Sequence, residues 1–273
     1  MKRLAIYAHY SSFPQVAGHV LFCLQHLMEL GFQICFVSNS ELSLASEAAL
    51  NKFCARIIVR ENTGLDFGMW QRALAGYDLS QLDELLLTNS SIIGPVQPLA
   101  PIWQHPAVAS CDFWGLTDNE ELNRHLQSYF LVFRRQVIQS PRFAEFWRSV
   151  LPYKDRQQVI FSYELGLSQW LEEGGFNWRA VYPQREIWRQ FLRQRGWVRN
   201  TIELPLERNM KKPRNTTLYA PDILLQSGMP FIKAELLKGF FSQAQSNGRR
   251  TVAWLKSARL PAEIQEALSP LLR

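Results

Sequence analysis

Most of the chemistry this sequence could do sits in polar clusters that each follow a short apolar run. His9-Tyr10-Ser11-Ser12 comes after residues 4–8, and Ser38-Asn39-Ser40 closes the run 33–38. Glu61-Asn62-Thr63-Gly64-Leu65-Asp66 comes after 56–59, and Asn89-Ser90-Ser91 after 84–88. Together they offer hydroxyls, amides and a carboxylate, the donors and acceptors a nucleoside diphosphate needs. Singly, such residues cap helices and close turns; four clusters in succession point to a ligand. Asp66 stands between Gly64 and Gly68, whose lack of side chains would let backbone approach a phosphate or sugar. It could equally cap the helix that holds Trp70 and Leu74. Glu164 lies in a helical stretch among Phe161, Tyr163, Leu165 and Leu167. Such neighbours would raise its pKa toward the range of a general base, although a helical glutamate more commonly faces solvent. His9 and Tyr10 sit where a base or ribose would lie, against the alternative of a buried structural histidine. Trp70, Trp103, Trp114 and Trp147 are candidates for a sugar-stacking platform or for core.

The elements that must position these groups follow from periodicity. Strands are expected at 4–8, 33–38, 56–59 and 84–88, alternating with helices at 16–30, 44–53 and 66–74. That alternation predicts an α/β fold with a Rossmann-type, mostly parallel sheet flanked by helices. Ligands of such sheets bind beyond the carboxyl ends of the strands, where the polar clusters lie. Further on, 112–116, 127–134 and 176–181 read as strands, and 143–150 and 156–173 as helices. The segment after Pro183 reads as irregular and basic. A domain of residues 1–241 is expected, followed by a small helical C-terminal extension, 242–273.

With 47% hydrophobic and 20% charged residues the chain is globular, not disordered. Residues 184–214 hold nine Lys/Arg against three acids, an excess equal to the whole net charge of +6. Such a stretch suits a phosphorylated ligand or an anionic membrane surface, or it is a solvated helix face and loop. A nucleic-acid partner is not expected. Cys23, Cys35, Cys54 and Cys111 are scattered without metal-ligand spacing and read as free thiols. The N-terminal apolar run is too short for a signal peptide, and no run of about 18 apolar residues occurs. A cytoplasmic protein is expected.

Residues 57–68, Ile-Ile-Val-Arg-Glu-Asn-Thr-Gly-Leu-Asp-Phe-Gly, resemble the R-E-N-x-G-x-D-F-G signature of the rhamnan synthesis F family. Further blocks match in order: Ala8-His9-Tyr10, Phe36-Val37-Ser38-Asn39-Ser40, Asn89-Ser90-Ser91 with Gly94-Pro95, and Asp112-Phe113-Trp114-Gly115. His125-Leu126-Gln127-Ser128-Tyr129-Phe130, Tyr163-Glu164-Leu165-Gly166-Leu167-Ser168 and Asn215-Thr216-Thr217-Leu218-Tyr219 complete them. The resemblance runs over roughly residues 3–241.

This resemblance implies a GT-A-like glycosyltransferase of the polysaccharide rhamnosyltransferase kind. Its donor would be a nucleotide sugar, typically dTDP-L-rhamnose, and its acceptor a lipid-linked surface glycan, met at the inner face of the cytoplasmic membrane. In related inverting enzymes a strand is followed by a helix opening with E-D-x-x-L-S. Tyr163-Glu164-x-x-Leu167-Ser168 occupies that place and puts Glu164 on the catalytic base. His9, Tyr10, Ser38, Asn39, Asn62, Gly64, Asp66, Asn89, Ser90 and Ser91 become donor-binding candidates. A metal is the open question. The family pattern N-D-S reads Asn89-Ser90-Ser91 here, and a hydroxyl is a poor ligand for Mg²⁺ or Mn²⁺. Either Arg208, Lys211 or Lys212 meets the diphosphate without metal, or Asp118 supplies the missing carboxylate, or catalysis is impaired. In that last case the chain would be a non-catalytic nucleotide-sugar or glycan-binding module.

Overall fold

A computed structural model describes residues 1–195, 215–238 and 245–272. Arg208, Lys211 and Lys212 lie outside the described residues.

The expected α/β architecture is present. Strands β1 (Arg3–His9), β2 (Phe32–Ser38), β3 (Arg56–Val59) and β4 (Glu84–Asn89) pair in parallel in the order β3-β2-β1-β4. Beyond the two-residue strand β5 (Ile92–Ile93), the sheet continues through β6 (Phe113–Asn119), β7 (His125–Leu126) and β8 (Phe130–Arg134). β8 lies antiparallel between β4 and β6, and β9 (Trp178–Tyr182) pairs in parallel with β6. A separate two-stranded ribbon joins β5 to β10 (Ile232–Lys233). The carboxyl ends of β1, β2, β3, β4, β6 and β9 therefore share one edge with the amino end of β8.

Side chains along a strand alternate faces, so unbroken apolar runs feed two cores at once. On β1, Ala5 and Tyr7 enter one layer, while Leu4, Ile6 and Ala8 enter the other. β2 divides Ile34 and Phe36 from Cys35 and Val37, and β8 divides Phe130 and Val132 from Leu131 and Phe133. Helix α1 (Gly18–Glu29) covers the first layer with Val20, Cys23, Leu24 and Leu27. Helix α3 (Leu65–Leu74) and the helix Pro141–Ser149 cover the second, where Phe67 meets Trp70, Phe146, Trp147 and Tyr163. Between α1 and α3 the short α2 (Leu44–Leu50) links β2 to β3 and is capped by Ser43, which accepts from the Ser46 amide. Trp70, Trp114 and Trp147 are buried, and Trp103 packs edge-on against Trp114. The tryptophans serve the core.

Two local expectations change. Residues 127–134 are not one strand: Gln127 stays with β7, its amide donating to the Thr117 carbonyl at 3.0 Å and its Oε1 accepting from the Thr117 hydroxyl at 2.7 Å, and β8 begins only at Phe130. The basic segment after Pro183 opens as a regular helix, Gln184–Arg195. Ile187, Trp188 and Phe191 lie on one face of it and bury there, while Arg185, Arg189 and Arg193 mask that periodicity in the sequence.

The helix expected over 156–173 runs its full length, but not regularly. An α-helical turn (Arg156–Val159), capped by Asp155, leads into a π-helical turn (Ile160–Glu164) and then Leu165–Glu173. The C-terminal helices Gln245–Ser257 and Ala262–Leu272 pack Leu255, Leu260, Ile264 and Leu268 against Ile93, Leu225, Ile232 and Leu236. They brace the β5–β10 ribbon through a third apolar cluster. Among the described residues no helix is long and apolar enough to cross a membrane.

Candidate active site

A cleft of about 320 Å³ opens at the carboxyl edge of the sheet. Asp66, Asn89, Ser91 and Glu164 all line it, joined by Arg156, Gln127, Asn215 and Lys233. Four sequence-level candidates thus meet in one place.

The turn after β4 sends its side chains in alternating directions. Asn89 is buried; its Nδ2 donates to Asp66 Oδ2 at 2.8 Å, and its Oδ1 accepts from the amide and hydroxyl of Ser91 at 3.0 and 2.6 Å. Ser91 Oγ also accepts from Lys233 Nζ at 3.1 Å. Ser90 points the other way: its Oγ accepts from the Tyr10 amide at 3.2 Å. The residue that departs from the family's aspartate therefore contacts the loop after β1, not the cleft.

Asp66 is held by the turn that precedes it. Gly64 (φ 75°) and Leu65 (φ 48°) are both left-handed, and for Leu65 that conformation costs roughly 1–2 kcal/mol. A Cβ on Gly64 would come within 3.0 Å of Gly68 Cα and 3.3 Å of Pro152 Cα, and one on Gly68 within 2.7 Å of the Thr63 carbonyl. The two glycines let the chain fold tightly under Asp66. Gly64→Ala combines a disfavoured φ with this crowding. It is expected to destabilise the protein by about 1–3 kcal/mol, read as a lower denaturation midpoint in urea.

Burial pushes the Asp66 carboxyl up to about 6, reinforced by Glu164, while Lys233, Arg156 and the Asn89 amide oppose the rise. Burial in turn pulls Lys233 below the usual lysine range, against Glu164, Asp66 and Glu235, which hold its proton on. The Lys233 ammonium also lies 4.5 Å from the centre of the Tyr129 ring.

Glu164 accepts from the Ser128 amide at 3.2 Å through Oε1. Of its expected apolar neighbours, Tyr163 is buried but Phe161 is 56% exposed and does not wall the carboxylate. The π turn explains how Glu164 and Arg156 come to line one cleft. Eight residues of regular helix would rotate them about 80° apart; a wide turn absorbs one residue and brings them back to within roughly 20°.

The remaining candidates form a neighbouring shelf over β1–β3. His9 is buried with Nδ1 3.3 Å from Ser38 Oγ and its ring against Phe36. Burial, with His19 nearby, lowers it to about 4, so it is neutral at physiological pH. Ser38 Oγ donates to the Ser40 carbonyl at 2.8 Å, and Asn39 Nδ2 donates to Asn62 Oδ1 at 3.0 Å. The other end of the Asn39 amide, Oδ1, is buried without a hydrogen-bond partner among the described residues. Tyr10 is 57% exposed beside it on the loop.

The chemistry of the donor set bears on a divalent metal. Asn89 has both ends of its side chain committed, Ser90 faces away, and Ser91 already receives an ammonium. Asp118, the alternative carboxylate, caps the Gln184 amide at 2.6 Å and pairs with Arg124 at 3.3 Å; it does not line the cleft. Among the described residues no three of His, Cys, Asp and Glu come together as a metal site. The groups at this turn do not fit Mg²⁺ or Mn²⁺. Sequence reasoning missed Lys233 and Arg156. The lysine arrives on the β5–β10 ribbon, in register with Ile92, from a two-residue strand with no periodicity to announce it.

The family model described as Rhamnan synthesis protein F matches residues 34–259. The Virulence protein VirA of Vibrio anguillarum is 29% identical over 206 residues, 70% of this chain and 65% of that protein. The uncharacterized protein y4gN of Sinorhizobium fredii is 28% identical over 174 residues, 62% and 45% respectively. The match thus spans less than two thirds of either relative's length. Among solved structures, the mannosyltransferase PcManGT from Pyrobaculum calidifontis, in complex with GDP-Man and Mn²⁺, is 12% identical. It aligns over 98% of this chain and 79% of that one, with a TM-score of 0.40. The 4-diphosphocytidyl-2C-methyl-D-erythritol synthase from Anaerococcus prevotii is 11% identical over 67% and 88%, with a TM-score of 0.42.

Proposed function

The chain belongs to the rhamnan synthesis protein F family, a family of glycosyltransferase type, and from that premise we propose that it transfers a sugar from a nucleoside-diphosphate donor with inversion, by a GT-A-type arrangement. The donor proposed is dTDP-L-rhamnose and the acceptor a lipid-linked glycan met at the cytoplasmic face of the membrane. One observation carries the reading: Glu164 and Asp66 line a single cleft at the carboxyl edge of a mostly parallel sheet, beside a shelf of polar loop residues.

The shelf would take the nucleoside. Tyr10 is exposed enough to stack on a pyrimidine. Across the cleft Glu164 would accept the proton of the acceptor hydroxyl as that oxygen attacks the anomeric carbon, which requires an approach of about 3 Å. The Ser128 amide aims its carboxylate. Incubation with dTDP-rhamnose, UDP-glucose and GDP-mannose, with and without membrane lipid extract, tests the reading. Release of one nucleoside diphosphate, accelerated by the extract, is expected. Binding of a nucleotide without any release would instead support the non-catalytic module.

A further inference from the structure

Resting on the glycosyltransferase reading, we infer that the Lys233 ammonium, in place of a divalent metal, is the cation that meets the donor's diphosphate in this cleft. The position follows from the backbone. Lys233 pairs with Ile92 across the ribbon and the Ala234 amide bonds the Ser91 carbonyl at 2.8 Å, so the lysine is fixed beside the turn after β4. Its Nζ gives one N–H to Ser91 Oγ and sits over the Tyr129 ring. An ammonium has three N–H groups, and Lys233 lines the cleft where the others can be used.

The surroundings are acidic: Asp66 and Glu164 line the same space as Lys233, with Glu235 two residues on. Glu121 and Glu235 line it too, and four carboxylates in one cleft repel an incoming diphosphate unless cations offset them. Lys233 and Arg156 are the cations lining it among the described residues. The turn itself excludes the usual solution, because Ser90 faces the β1 loop and Asn89 Oδ1 already accepts two hydrogen bonds.

In the transfer step, the bond between the anomeric carbon and the β-phosphate oxygen breaks, and its electron pair stays on that oxygen. The acceptor oxygen bonds the same carbon and its proton passes to Glu164. Lys233 gives up no proton; it neutralises the charge gathering on the departing diphosphate, where a fixed cation in a dry site acts most strongly.

Calorimetric titration of the whole chain with dTDP, UDP and GDP, each against its monophosphate, in EDTA and in Mn²⁺, tests this. In EDTA the wild type is expected to bind the preferred diphosphate about tenfold or more tighter than the monophosphate, the scale of one charge-assisted hydrogen bond. Lys233→Met erases that gap without moving the monophosphate, Lys233→Arg keeps most of it, and Mn²⁺ adds nothing. A gap that needs Mn²⁺, or that survives in Lys233→Met, overturns the inference and leaves the glycosyltransferase reading standing. Failure of every nucleotide to bind in every arm overturns both. Retained monophosphate binding and an unchanged melting temperature in Lys233→Arg establish that the variants fold.

Discussion

Glu164→Gln is expected to lower turnover by about 10²–10⁴-fold, the usual worth of a positioned general base, while leaving nucleoside-diphosphate affinity nearly unchanged. The amide keeps the size of the side chain and an oxygen for the Ser128 amide at 3.2 Å, so the helix and its wide turn have no reason to move. What is lost is the capacity to take a proton. Steady-state rates with saturating donor and acceptor read the change in kcat, and titration with the bare diphosphate reads binding. Equal turnover in the variant would remove Glu164 from the chemistry. If Asp66→Asn were then the inactive protein, the base would be Asp66, which shares the cleft and titrates at about 6.

Asp66→Asn is expected to stabilise the protein at neutral pH even where it harms function. The folded carboxyl titrates at about 6 against an ordinary 3.8. Below pH 3.8 both folded and unfolded chains carry the proton and nothing is lost. Between pH 3.8 and 6 the unfolded chain releases it first, so stability falls as pH rises, by on the order of 3 kcal/mol once both are ionised. Asparagine removes that loss, and it can still accept from Asn89. His9 acts with the opposite sign over nearly the same interval. Its folded value of about 4 lies below the ordinary 6.5, so its contribution is complete above 6.5 and is lost as pH falls toward 4. In the wild type the two trends largely cancel. Thermal melts of Asp66→Asn from pH 4 to 8 should therefore show its advantage over wild type growing with pH up to about 6 and then levelling. An advantage that is flat across the range would mean that Asp66 is not a buried charge.

The parallel half of the sheet was readable because its strands bury both faces. Runs such as Leu4-Ala5-Ile6-Tyr7-Ala8 contain no polar interruption, and each ends in a polar cluster at the edge where ligands bind. Asp66, Asn89, Ser91 and Glu164 were legible for that reason, or from their resemblance to family motifs. Other features left no trace. The helix 184–195 hides three apolar contacts among arginines. Lys233 reaches Ser91 through a ribbon of two residues per strand, pairing positions 92–93 with 232–233, and nothing local marks either partner. The side-chain direction of Ser90 depends on strand alternation carried through a turn, which composition does not record.

The wide turn at Ile160–Glu164 has a consequence for descent. It amounts to one surplus residue, and losing it would leave an ordinary, better-bonded helix and an intact sheet. A single codon deletion there would be tolerated by folding, and seven regular steps of about 100° would still leave Glu164 within roughly 20° of Arg156. A relative that keeps the residue but straightens the turn would instead swing the two about 80° apart. A one-residue gap at this point is therefore compatible with the reaction, because the number of residues between the two side chains matters only together with the turn that absorbs the extra one.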